Sequence, residues 1–255
     1  MKVPKITFKE MTLKENIDII KWAYFEDNDT LNIHSFTIEY FPQLVNLNSN
    51  MSKDDIYKRI EEVVTDEFNK YKDKIKSETE RYNKLWKKYN DSYFKMLSSY
   101  LNIEWPNKLK VINVKVGLIP VFPRCLDDFS FSVCTDLDDY KILGVCAHET
   151  LHFLWFEKWK QIHPKTSRCE YDYPYLVWQY SEMVTDPILN NKPFSTMFDF
   201  NERGYDSFYE LEDGTIKVMD KLRDIYSENI PVEEKMDKGF NYINKVLDDE
   251  NIINN

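Results

Sequence analysis

The hydrophobic positions of this chain change rhythm along its length, and the first half is helical in character. Leu13 to Tyr24 is a short amphipathic candidate, while Thr30 to Leu44 is ambiguous. From Ser52, a residue suited to cap a helix, apolar residues recur at Ile56, Ile60, Val63, Val64, Phe68, Tyr71 and Ile75. The rhythm resumes at Tyr82, Leu85, Trp86, Tyr89, Tyr93, Phe94, Leu97 and Leu101. The intervening Lys76-Ser77-Glu78-Thr79-Glu80-Arg81 has no apolar residue. It predicts either two helices in a hairpin or one long helix crossing solvent.

Trp105-Pro106 marks a switch to a period of two. Ile112, Val114 and Val116 alternate with Asn113 and Lys115, and Phe129, Phe131 and Val133 alternate with Ser130 and Ser132. Pro120 and Pro123 predict that the first of these strands ends, or forms an edge, near 119. Asp136, Asp138 and Asp139 then offer caps and first-turn charge for a helix that is apolar on nearly every side from Ile142 to Trp159. His163 before Pro164 stops it. Beyond a stretch containing Pro193 and Gly204, helices are expected near 206–227 and 232–249. The pattern predicts an α-rich α+β fold: a helical N-terminal half, a small β-sheet before a buried helix, and a helical C-terminal part. The expected division is a mainly helical region over 1–105 and a second region over 106–255, with no sharp linker between them.

Composition narrows the classes. With 255 residues, 42% hydrophobic and 15% aromatic, the chain has ample material for a core and is not of disordered type. A net charge of −10 argues against a nucleic-acid partner and against anionic membranes. No apolar run reaches transmembrane length, and Met1-Lys2-Val3-Pro4-Lys5 opens no secretory h-region. Cys125, Cys134, Cys146 and Cys169 form no CxxC pair and read as thiols of a reducing compartment. The expected location is therefore cytoplasmic.

The chemistry is concentrated in His148-Glu149-Thr150-Leu151-His152, on the apolar helix. Histidines four apart on a helix are separated by about 6 Å of rise and roughly 40° of rotation, so both imidazoles can meet one Zn2+ ion. Glu149 then lies close enough to hold the ion's water. Zinc needs a third protein ligand if the fourth position is to stay open. Glu182 and Asp186, four apart in Trp178-Gln179-Tyr180-Ser181-Glu182-Met183-Val184-Thr185-Asp186-Pro187, would share a helix face. One could ligate while the other braces a ligand histidine. Pro174 is placed to open this helix and Pro187 to close it.

HExxH followed by ExxxD resembles the gluzincin metallopeptidases, the group that includes thermolysin-like enzymes. The resemblance spans His148 to Asp186. It implies His148, His152 and Glu182 as metal ligands, Glu149 as general base, and Asp186 as partner of a zinc histidine. It also implies an edge strand that pairs with an extended peptide substrate. Small cytosolic peptidases that cleave repressor-like regulators share HExxH with a downstream glutamate. The chain departs from the thermolysin-like pattern in the longer interval from His152 to Glu182 and in Ser181, where asparagine is common. Glu157, Glu170 and Asp172 compete for the third position without a carboxylate partner at helical spacing. A metzincin arrangement would need a third histidine soon after the motif, with glycine between. His163 comes eleven residues after His152 with no glycine between them. Tyr173, nine residues before Glu182, has a spacing similar to that of a catalytic tyrosine in thermolysin-like enzymes, and Tyr205 and His163 are other candidates to stabilise an oxyanion.

These residues point to a zinc-dependent peptidase acting on a peptide or protein substrate. Two other classes remain open at this level: a catalytically silent zinc-binding scaffold, and a zinc hydrolase of a non-peptide amide.

Overall fold

The computed structural model of the chain describes residues 2–26, 32–45, 47, 51–198 and 203–253. In chain order its elements are β1 (Lys5–Glu10), α1 (Leu13–Phe25), α2 (Ile33–Tyr40), α3 (Lys53–Trp86), α4 (Asn90–Tyr100), β2 (Val111–Gly117), β3 (Arg124–Cys125), β4 (Ser130–Cys134) and α5 (Asp139–Ile162). There follow α6 (Leu176–Met183), α7 (Thr185–Leu189), α8 (Ser195–Phe198), α9 (Asp206–Glu210), a hairpin of β5 (Glu212–Asp213) and β6 (Ile216–Lys217), α10 (Val218–Ser227) and α11 (Val232–Ile253). The architecture is the α-rich α+β fold that the periodicity predicts. No helix among the described residues is long and apolar enough to cross a membrane.

The chain forms two compact units that interleave in sequence. One holds 5–90 and 109–142; the other holds 1–4, 91–108 and 143–255. The expected boundary at 105/106 therefore falls within a segment, 91–108, that belongs with the C-terminal helices. Tyr93 and Asn102 tie this segment to α5 through Ala147 O and Lys158 Nζ, while β1, a strand that the periodicity does not predict, joins 5–90 to β2.

β1 pairs in parallel with β2, and β2 with β4, while β3 runs antiparallel on the far side of β4, in the order β1-β2-β4-β3. The register aligns Ile6 with Ile112, Phe8 with Val114 and Phe131, and Val116 with Val133. All seven side chains are buried. Pleating puts alternate residues on one face, so a single apolar face is built from three separate stretches of chain. Helix α3 covers it: the Tyr82 ring lies 5.6 Å from that of Phe8, and its hydroxyl donates to Cys134 O at 3.0 Å.

The free edge of β1 is closed by side-chain amides. Asn83 Oδ1 accepts from Phe8 N at 3.0 Å, and Asn83 Nδ2 donates to Phe8 O at 2.9 Å. Asn90 Oδ1 accepts from Ile6 N and from Trp86 Nε1, both at 3.1 Å. These amides occupy the outward groups of β1 that an added strand would need.

Helix α3 is continuous through 76–81 without crossing solvent, and the break between two helices falls later, at 87–89, so neither alternative holds in full. The stretch stays helical because Thr79 supplies the inward position, buried with its hydroxyl donating to Ile75 O at 2.7 Å. Arg81 on the outer side pairs with Glu78 at 2.7 Å and with Asp139.

In the other unit, α5 from Leu143 onward is buried on most sides, as its apolar content predicts. Trp155 and Trp159 stack at 5.1 Å, and each meets Tyr180 of α6; Trp159 also meets Phe240 of α11 at 4.9 Å. The buried Lys158 is satisfied by Asn102 O at 3.1 Å and by Glu233, whose carboxyl it holds below the usual range. Gly239 of α11 lets that helix reach Tyr180: a Cβ there would stand 2.3 Å from the phenol oxygen. The expected helix over 206–227 is split by the β5–β6 hairpin. Gly214 takes φ 65° in its two-residue loop, a conformation that a side chain would strain.

The closed edge of β1 has a measurable consequence. Asn83→Ala leaves the amide and carbonyl of Phe8 without their partners, at about 1–3 kcal/mol for each group that stays buried. Chemical denaturation should therefore show a loss of roughly 2–4 kcal/mol. A change under about 0.5 kcal/mol would mean that these bonds contribute nothing to holding β1.

Candidate metal centre

The site is built from two elements of one unit. Helix α5 starts at Asp139, capped by Asp138, whose Oδ1 accepts from Lys141 N at 2.7 Å. It runs without a break through the HExxH residues. The hydroxyl of Thr150, inside the motif, donates to Cys146 O at 2.5 Å, and the Tyr93 hydroxyl on α4 donates to Ala147 O at 2.7 Å. The helix is thus tied down from within and from a neighbouring helix immediately before His148.

Helix α6 carries Glu182 one residue before its end. The helix turns at Val184 and continues as α7, so Pro187 falls inside the first turn of α7 and does not close the preceding helix. That position tolerates proline because the amide it lacks would have had no helical acceptor. Thr185 Oγ1 donates to Glu182 O at 2.7 Å, securing the carbonyl at the junction.

Three side chains converge. His148 Nε2 and His152 Nε2 are 3.1 Å apart; Glu182 Oε2 is 3.3 Å from the first and Glu182 Oε1 is 3.4 Å from the second. Tetrahedral zinc with nitrogen and oxygen donors at about 2.0–2.2 Å requires neighbouring donors about 3.3–3.6 Å apart. The measured spacings are of that size, with each histidine facing a different oxygen of Glu182, and one ligand atom from each of the three residues lies within 4.8 Å of the others, so the donor set suits such an ion. Side-chain exposure is 18% for His148, 1% for His152 and 4% for Glu182, which leaves one corner of the triangle open to solvent. Among the described residues this is the group of three or more histidine, cysteine or acidic side chains with metal-binding spacing.

Glu149 is outside the triangle and is buried, with 6% exposure. Helical geometry sets it about 60° around the axis from His152, on the flank of the ligand face. Cys146 is fully buried and does not join the cluster. Burial pushes its thiol well above the ordinary cysteine value, and the Glu149 carboxylate adds to the effect.

The competing carboxylates are elsewhere. Glu170 caps a short turn through Ser167 N at 2.7 Å, and Asp172 pairs with Arg168 at 2.8 Å. His163 lies at the end of α5, 4.1 Å from the Trp159 ring and with Nε2 2.8 Å from Asp237 Oδ1. Tyr173 sits in the turn before α6, 39% exposed, its ring edge-on to Trp178 at 5.2 Å. Tyr205 meets the same indole at 5.9 Å.

Asp186 departs from the expected role. Its Oδ2 accepts from the Tyr209 hydroxyl and from Arg223 Nη2, each at 2.7 Å; its Oδ1 accepts from Asn190 Nδ2 at 3.0 Å and from Arg223 Nε at 3.3 Å. Neither motif histidine is among these partners. The turn at Val184 puts Asp186 on a second helix, where a cation and a phenol compensate the buried carboxylate. Arg223 and Tyr209 were not legible as functional residues. A buried Asp186 demands a cation, yet no local spacing selects Arg223, 37 residues away.

Comparison with protein-family models, with curated proteins and with solved structures finds no match to this chain.

The geometry leads to a direct expectation about metal. Elemental analysis of protein prepared without chelator should find one zinc per chain, and His152→Ala should lose most of it. Glu182→Gln should impair affinity severely, because it replaces a charged donor by a neutral one. Wild-type protein that holds no zinc and takes none up on reloading would rule out the metal centre.

Proposed function

We propose that this chain is a zinc-dependent peptidase. The observation that carries the reading is the cluster of His148, His152 and Glu182, whose ligand atoms lie within 4.8 Å of one another, with a buried Glu149 on the same helix and outside the donor set. A purely structural site has no use for that carboxylate and closes its fourth position with another protein ligand.

In this reading both imidazoles bind through Nε2, and the Glu182 carboxylate completes the protein donors. Zinc held there supplies a Lewis acid that polarises a scissile carbonyl and lowers the pKa of water toward about 7. The Glu149 carboxylate takes the proton of the attacking water and returns it to the leaving amine nitrogen. The partly exposed His148 marks the side from which a peptide reaches the site, while the burial of His152 and Glu182 keeps bulk water from the other donors. The free thiols Cys125, Cys134, Cys146 and Cys169 fit a cytoplasmic setting, which belongs to the same proposal.

Glu149→Gln separates a peptidase from a scaffold. The variant should fold and hold zinc as the wild type does, and should lose peptide hydrolysis by on the order of 10²–10⁴ or more. A broad peptide library digested by both proteins and read by mass spectrometry gives the comparison. Equal cleavage by the two would remove Glu149 as the base. Zinc-loaded wild type that cleaves no member of the library would replace the peptidase by the scaffold, or by a hydrolase of non-peptide amides.

A further inference from the structure

The four hydrogen bonds on Asp186 join three elements around the third metal donor. Arg223, on α10, grips the carboxylate with two nitrogens, Nη2 at 2.7 Å and Nε at 3.3 Å. This fork fixes orientation as well as distance, which a single ammonium does not. Asp220 accepts from Arg223 Nη1 at 2.6 Å and holds the guanidinium from the other side. Tyr209, on α9, donates to Asp186 and in turn accepts from Gly204 N at 3.1 Å.

Gly204 connects this cluster to Glu182. A Cβ at Gly204 would lie 3.6 Å from Glu182 O and 3.4 Å from the Phe208 ring, so its backbone passes within the reach of one methyl group of the Glu182 carbonyl. The hydroxyl of Tyr209 thus holds two points at once: Asp186, one turn after Glu182, and the segment that lies on the backbone of Glu182. Its ring is stacked under the Arg203 guanidinium, 4.0 Å from the centroid, with that of Arg223 5.7 Å away. Burial and the Asp186 carboxylate push the Tyr209 phenol up to about 12, so it stays a donor at neutral pH.

We infer that Arg223, Asp186 and Tyr209 form a positioning unit for Glu182, setting the junction of α6 and α7 so that its carboxylate meets both imidazoles. The inference rests on the metal reading of the site. None of the three residues touches the metal; they act through the backbone on either side of Glu182. The break at Val184 explains the need for such a unit. A ligand near the end of a short helix lacks the support of following turns, and α7 and the Gly204 segment supply it from outside.

The test is a competition titration of zinc against a chromophoric chelator with wild type, Tyr209→Phe, Arg223→Lys and Glu182→Gln. The thermal midpoint of each is measured in excess chelator. Tyr209→Phe removes one hydroxyl and Arg223→Lys keeps the charge but not the fork. Each should weaken zinc binding roughly 10–100-fold. A merely structural role would lower the metal-free thermal midpoint and leave the zinc Kd where it was. Kd values within twofold of wild type in both variants overturn the inference, whatever the thermal midpoints do. Should Arg223→Lys fail to fold, Tyr209→Phe decides alone. A wild type that binds zinc no better than Glu182→Gln overturns the metal reading itself, and the positioning role with it. A wild type that binds tightly beside unaffected network variants overturns the positioning role only.

Discussion

Two imidazoles and a carboxylate crowded into an apolar interior set the terms for the unit that contains them. His152 and Glu182 are almost wholly removed from water, and their nitrogen and oxygen atoms stand 3.4 Å apart. Burying such groups is costly unless each finds a partner. In the proposed reading a cation is shared by the three, and helices α5 and α6 bring the side chains together. Helix α5 is braced at Ala147 by Tyr93 and along its length by the Trp155–Trp159 stack. Helix α6 is held by Tyr180, whose hydroxyl bonds to that of Tyr226 at 2.9 Å and donates to Met236 O at 3.0 Å. The rigidity lies in aromatic packing, with hydrogen bonds at the tips.

The site was more legible than its support. HExxH brings two imidazoles together because helical spacing is local, and Glu182 stands out because a carboxylate four residues on suggests a shared face. That same argument misled for Asp186. It assumed one uninterrupted helix, and the turn at Val184 sends Asp186 to Arg223 and Tyr209. Long-range partners of this kind leave no periodic trace. Tyr173 rests on spacing alone, and its ring lies edge-on to Trp178 of the same segment.

The fold shows the same division. Strands β2 and β4 and the buried α5 were visible as period-two and all-round apolar patterns. β1 was overlooked although Ile6 and Phe8 alternate with Lys5, Thr7 and Lys9, because two apolar positions among charged neighbours are too few to stand out. Its pairing with β2 draws α1 to α3 and the sheet into one unit, which is why a cut at 105/106 does not describe the chain. Continuity of α3 through its polar stretch was undecidable from pattern alone: Thr79 serves as an inward residue without being apolar. The DG step at Asp213-Gly214 was a turn signal inside an expected helix, and the hairpin there is what divides α9 from α10.

X-ray absorption at the zinc edge on the reloaded wild type tests the central claim most directly. Two imidazole nitrogens, one carboxylate oxygen and one further light atom, all at about 2.0–2.2 Å, are the expected shell. Sulfur at about 2.3 Å, or a shell without imidazole, would contradict the assignment of His148, His152 and Glu182 as the donors.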